Sequence, residues 1–200
     1  MASQQPVSVL ANPARLFLAL WPGPVELAQL VAARAAWGWP ARVAPMRAEQ
    51  LHLTLHFIGA VERQRLDELM AGLAVGFAPF ELSFGRAALW PRGLAVLEPL
   101  ASAEAGDADP QALEASAGLR RLHTALAQAL RRHGLPVETR VLRPHVTLAR
   151  RAAGARVPGP ADDWRWPVRG YVLVETVAGG HYRILRHYAA DATGMARVGS

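Results

Sequence analysis

Two hundred residues with 52% hydrophobic side chains suffice for one ordinary domain, or two small lobes sharing an interface, and lie well outside the composition of a disordered chain. Cysteine is absent, which excludes disulfides, thiol nucleophiles and thiolate metal sites together and suits a reducing, cytoplasmic setting; no stretch of about 18 apolar residues runs free of charge or proline, so no membrane-spanning helix is expected. The formal charge is +6 and all 22 basic residues are arginine, which fits either affinity for a polyanion or a general bias of this sequence toward Ala, Arg, Gly and Pro.

Met1 to Pro13 lacks a basic leader before an apolar stretch and reads as a loose tail, as does 191–200, leaving a single two-lobed domain over 14–190. Arg15 to Leu20 is a short apolar run bounded by Pro13 and by Trp21-Pro22-Gly23, the pattern of a buried strand and its turn. Pro24 to Ala36 has proline at its first position and Leu27, Leu30 and Val31 on one stripe, as a helix requires. Trp37 to Pro45 is expected to be loop, and Arg47 lies close enough to the next strand to reach its mouth.

Leu51 to Gly59 reads as a strand with His52, Thr54 and His56 on one face and Leu53, Leu55 and Phe57 on the other. Val61 to Val75 follows as a helix through Leu66, Leu69, Met70 and Leu73, and Phe80–Ala88 and Leu94–Leu97 form a hairpin across Trp90-Pro91-Arg92-Gly93. Ala101 to Pro110 is small and acidic, a surface linker between two halves. Gln111 to Arg132 is the longest helix signal, with Leu119, Leu122, Leu126 and Leu130 as its seam and His123 beside that seam in a structural or exposed role. Pro144 to Arg150 is the next strand, with His145 and Thr147 sharing one face and Val146 and Leu148 the other; after a loop over 151–167, Tyr171–Glu175 and His181–Tyr188 close the chain. The order β-α-β-α-β-β, then α-β-β-β, predicts an α+β fold with an approximate internal duplication.

The two H-x-T units carry the chemistry. A single one is a weak signal, because a strand histidine beside a threonine is commonly just a satisfied pair. Two, each in an apolar strand preceded by arginine, suit imidazoles on opposite sides of one group. Histidine, with an ordinary pKa near 6.5, serves as proton donor or acceptor near neutral pH. The threonine hydroxyls two residues on would point into the same space and bond phosphate oxygens. A metal held by His52 and His56 is disfavoured, because four residues of strand separate their Cα atoms by about 13 Å at roughly 3.3 Å per residue.

The runs Arg15-Leu16-Phe17-Leu18-Ala19-Leu20-Trp21-Pro22, Leu51-His52-Leu53-Thr54-Leu55-His56-Phe57-Ile58-Gly59 and Arg143-Pro144-His145-Val146-Thr147-Leu148-Ala149-Arg150, with Val172 to Thr176 and Tyr182 to Leu185 at the end, resemble the two-histidine (2H) phosphoesterases. Within that group the chain is similar to the RNA 2′,3′-cyclic phosphodiesterases, also described as 2′-5′ RNA ligases. The resemblance implies a bilobal fold of two antiparallel sheets lining a central cleft with helices outside, and no metal or other cofactor. It implies hydrolysis of a terminal 2′,3′-cyclic phosphate to a 2′-phosphomonoester, with His52 as proton donor, His145 as proton acceptor, and Thr54 and Thr147 binding the phosphate.

Arg150 matches the same motif, yet alternation from His145 places it off the catalytic face, so it acts from a strand end or serves structurally. His56 is expected to face the cleft and touch the edge of the substrate. The Leu94–Leu97 strand lacks the basic and aromatic residues of many relatives. The expected partners are RNA ends or cyclic nucleotides, with no membrane and with the protein a monomer. Ligation as the main role, and an idle module that only binds RNA or nucleotide phosphate, are the alternatives.

Overall fold

The computed structural model describes residues 12–100, 110–159 and 163–191, with 110–116 by backbone alone. Its strands are β1 (Ala14–Leu20), β2 (Leu53–Val61), β3 (Phe80–Trp90), β4 (Leu94–Pro99), β5 (Val146–Ala149), β6 (Trp164–Val168), β7 (Gly170–Val177) and β8 (His181–Ala189); its helices are α1 (Pro24–Ala35), α2 (Leu66–Gly72) and α3 (Pro110–Arg132). All strands join one antiparallel, eight-stranded sheet in the order β6-β3-β4-β5-β2-β1-β7-β8. The predicted α+β architecture is present, and its duplication is visible in that order. Each half has four strands, with the strand carrying an H-x-T motif innermost.

The two sheets implied by the resemblance meet edge to edge. Between β2 and β5 the ladder consists of one pair, Leu53 with Val146. This seam holds the motif strands side by side. On one side of the sheet, Leu16, Leu18 and Leu20 of β1 and Leu53 of β2 join Leu122, Leu126 and Leu130 of α3 in the main core. Those α3 leucines recur every four residues, a spacing that turns one stripe of a helix inward. On the other side of β1 and β7, Phe17, Ala19, Val172 and Val174 form a smaller cluster with Trp21, Tyr182 and Ile184 against it.

Two predicted elements differ. The expected helix over 61–75 is shorter, because Val61 still pairs with Ala14 and a tight turn over Arg63–Arg65 precedes α2. The expected loop over 151–167 ends in β6, which pairs with β3 from Phe80 to Phe84. Trp164, Trp166 and Val168 carry the period-2 signal, and Pro167 is tolerated because β6 is an edge strand. The predicted linker at 101–110 lies outside the described residues except for its last position. No helix among the described residues is long and apolar enough to cross a membrane.

Candidate active site

Both motif strands carry an extra residue directly after the motif, and β2 carries a second at Ile58. Along β1, Leu18 faces His56 and Ala19 faces Thr54, so Leu55 has no partner. Along β4, Ala95 faces Ala149 and Val96 faces Thr147, so Leu148 has none. A bulge of this kind reverses the inward and outward alternation of everything after it. On β2, His52 and Thr54 therefore face the cleft, Leu55 and His56 both turn into the core, and Phe57 returns to the cleft. On β5, His145 and Thr147 face the cleft, Leu148 and Ala149 are both buried, and Arg150 returns.

The bulges correct two expectations. His56 is not a cleft residue: it is 2% exposed, its ring stacks on His123 of α3 at 3.9 Å between centroids, and its Nε2 donates to the His123 carbonyl at 2.9 Å. It fastens β2 to α3, and His123 takes the structural role rather than the exposed one. Burial holds both imidazoles below the ordinary histidine pKa, His123 at about 4. With His52 and His56 on opposite faces, the pair cannot share an ion. Arg150, conversely, lines the cleft from just past the end of β5, where simple alternation would have excluded it.

At the seam, the register of Leu53 with Val146, carried one residue either way, sets His52 beside Thr147 and Thr54 beside His145. The two histidines are fixed by equivalent bonds. His52 Nδ1 donates to the Gln50 carbonyl at 2.7 Å, and His145 Nδ1 donates to the Arg143 carbonyl at 2.8 Å, each bond reaching back two residues. Each therefore keeps its Nε2 free for other partners.

The His52 ring lies against Trp21 at 5.4 Å and 7°, against Phe17 at 5.0 Å and 30°, and edge-on to Tyr182 at 5.2 Å. The His145 ring rests against Trp90 at 4.5 Å, and the Arg143 guanidinium sits 3.8 Å from the Trp90 ring centre. Burial lowers the pKa of His52 to about 4; the Gln50 bond opposes this, while the positive charges of Arg150 and His145 reinforce it. Burial likewise lowers His145.

The cavity holds about 500 Å³ and is lined by His52, Thr54, His145, Thr147 and Arg150, with Arg15, Gln50, Phe57, Thr176 and Tyr182 among the remaining residues. Among the described residues, no carboxylate lines it. Among the described residues, no group of three or more His, Asp or Glu side chains is arranged to hold a metal ion. Arg15 was legible in principle, since Arg15, Phe17 and Ala19 alternate onto one face of β1. Gln50, Thr176 and Tyr182 reach the site from elements that carry no motif. Arg47, expected at the same mouth, is instead paired with Glu49 at 2.8 Å and donates toward His181 Nδ1 at 3.3 Å.

Residues 24–177 match the family model of the 2′-5′ RNA ligase superfamily. The chain is 31% identical over 168 residues to an RNA 2′,3′-cyclic phosphodiesterase of Escherichia coli K12, covering 82% of this chain and 88% of that protein. It is 34% identical over 170 residues to an RNA 2′,3′-cyclic phosphodiesterase of Thermus thermophilus, covering 81% of each. The crystal structure of E. coli LigT in apo form superposes with a TM-score of 0.71 at 26% identity, over 90% of this chain and 99% of that one, and the same protein has been crystallised with 3′-AMP. With its paired motif strands at one seam and this agreement over most of its length, the chain belongs to the 2′-5′ RNA ligase superfamily.

Proposed function

We propose that this protein hydrolyses a 2′,3′-cyclic phosphate at the end of an RNA or on a nucleotide to a 2′-phosphomonoester, with His52 and His145 as acid and base and no metal ion. The observation that carries the reading is the matched fixing of the two imidazoles, each held through Nδ1 with its Nε2 free, on the motif strands that line one arginine-bearing cavity. His145 takes a proton from water as its oxygen attacks phosphorus. The P–O3′ bond breaks, and His52 gives its proton to the departing 3′ oxygen. Such proton transfers contribute about 10²- to 10⁴-fold each.

Thr54 and Thr147 donate to the non-bridging oxygens and Arg150 balances the charge gathering on them, the role preorganised donors fill in a site sheltered from water. The faces of Trp21 and Phe17 favour the acid role for His52, since aromatic faces stabilise a cation laid over them. Phe57, 54% exposed and lining the cavity, offers a flat surface to the nucleoside. The 3′-AMP complex of the E. coli relative is consistent with a nucleotide ligand.

Incubation with a 2′,3′-cyclic nucleotide in EDTA, followed by phosphorus NMR of the product, tests the proposal. The 2′ isomer alone is expected; a 3′ isomer or a requirement for added metal would overturn it. The family description favours a second reaction in the same cavity, attack by an RNA 5′-hydroxyl in place of water to leave a 2′-5′ linkage. Adding a 5′-hydroxyl acceptor and comparing the two rates decides which reaction dominates.

A further inference from the structure

The β3–β4 turn and the loop after β5 are locked together beside the cavity. Ala152 N–H donates to the Gly93 carbonyl at 2.7 Å, and a Cβ on Gly93 would lie 2.5 Å from Ala153 N and 2.8 Å from Ala152 N. Only glycine permits that approach. The residue just before each member of this contact is an arginine with positive φ: Arg92 at 63° and Arg151 at 56°. Left-handed backbone is unfavourable for a long L side chain, and a turn built for shape alone would place glycine or asparagine there.

Both arginines are exposed and both neighbour the cavity, Arg151 following Arg150 and Arg92 lying two residues before Leu94, while neither lines it. Elsewhere several arginines come with carboxylates: Arg63 and Arg183 with Glu175, Arg86 and Arg143 with Glu98, Arg165 with Glu81, although Arg15 and Arg186 of the strands have none among the described residues. Among the described residues, Arg92, Arg150 and Arg151 have no such partner. Three positive charges thus lie on two linked loops beside the cavity, with no carboxylate among the described residues paired to them.

We infer that Arg92 and Arg151 form a second phosphate subsite, which takes the phosphate on the 5′ side of the terminal nucleoside, that of the preceding linkage in an RNA chain. The inference rests on the reading of the cavity as the seat of the terminal cyclic phosphate. That group occupies Arg150, and a strand leaving the cavity over these loops brings its next phosphate to the two arginines outside. Guanidinium forks match the paired oxygens of a diester. The substrate is then an oligonucleotide end in preference to a free mononucleotide.

The test is the double variant Arg92→Gly with Arg151→Gly, in which glycine removes both charges and suits both positive φ values, so the fold is not put at risk. Its kcat/KM is compared with wild type on a cyclic mononucleotide with a 5′-hydroxyl, the same nucleotide with a 5′-phosphate, and a tetraribonucleotide ending in a cyclic phosphate. The tetranucleotide should lose about tenfold or more relative to the 5′-hydroxyl mononucleotide, chiefly through KM. Its dependence on salt should become shallower by about 0.7 in logarithmic slope for each lost contact. Arg92→Lys with Arg151→Lys should recover part of the loss.

A loss shared by the 5′-phosphorylated mononucleotide assigns the subsite to a terminal phosphate, and a loss confined to the tetranucleotide assigns it to an internal diester. Equal effects on all three substrates, or none on the tetranucleotide, would overturn the inference. If wild type turns over none of them, the hydrolase reading has failed. The subsite is then judged by affinity for a 2′-phosphorylated tetranucleotide against a 2′-phosphorylated nucleoside, where the same gap between wild type and variant is expected.

Discussion

Burial favours the neutral imidazole of both His52 and His145 in the free protein, yet the proposed reaction needs one of them protonated. Burial depresses both, His52 to about 4. The arriving phosphate supplies the missing stabilisation, because a negative group between the rings favours the imidazolium and offsets Arg150. The sign of the pH dependence follows. kcat/KM reports the free protein, so it should peak on the acid side of 6.5 and decline as pH rises further; kcat reports the complex, so its optimum should lie about one unit or more higher. Profiles that coincide at or above pH 7 would contradict this. That His52, Thr54, His145 and Thr147 face one cavity was readable from the sequence, because period-2 alternation holds over each H-x-T unit. The Nδ1 bonds to Gln50 and Arg143 were not, since they depend on how the chain enters each strand.

At the scale of the element, the bulges at Leu55 and Leu148 decide what lies beyond the motifs. Alternation is a property of an unbroken ladder, and nothing in Thr-Leu-His-Phe or Thr-Leu-Ala-Arg announces the extra residue. For that reason His56 and Phe57 exchanged places relative to expectation, and Arg150 came into the cavity. Paired substitutions check this exchange. His56→Ala should cost about 1–3 kcal/mol of stability, from the lost bond and the hole beside His123, read as a shifted denaturant midpoint, with kcat/KM within a few-fold of wild type. Phe57→Ala should leave the midpoint nearly in place and raise KM about tenfold, the loss of one stacked ring. The opposite pattern would mean that the strand runs without its bulge. The α+β order with its approximate duplication was legible from hydrophobic periodicity. β6 was missed because Pro167 masks an alternation that an edge strand tolerates.

For the whole molecule, two four-stranded halves share one sheet through a single residue pair, and the fold carries several imidazoles kept neutral by burial. His52 and His123 sit at about 4, and His56 and His145 are lowered as well. Their folded pKa values lie below the ordinary 6.5 of an unfolded chain, so the unfolded state binds more protons between those limits. Stability should be complete above about pH 6.5 and fall progressively toward pH 4. Thermal midpoints measured across that range check it, and a flat profile would show that these rings are hydrated.

The claim on which the rest depends is that the two imidazoles act as one unit on one phosphorus. Rates for His52→Ala, His145→Ala and the double variant on a 2′,3′-cyclic nucleotide test it most directly. Each single variant should lose about 10²- to 10⁴-fold, and the double should be scarcely slower than the slower single, because either loss already breaks the concerted transfer. Losses that multiply in the double variant, or a single variant that retains most of its activity, would contradict the account.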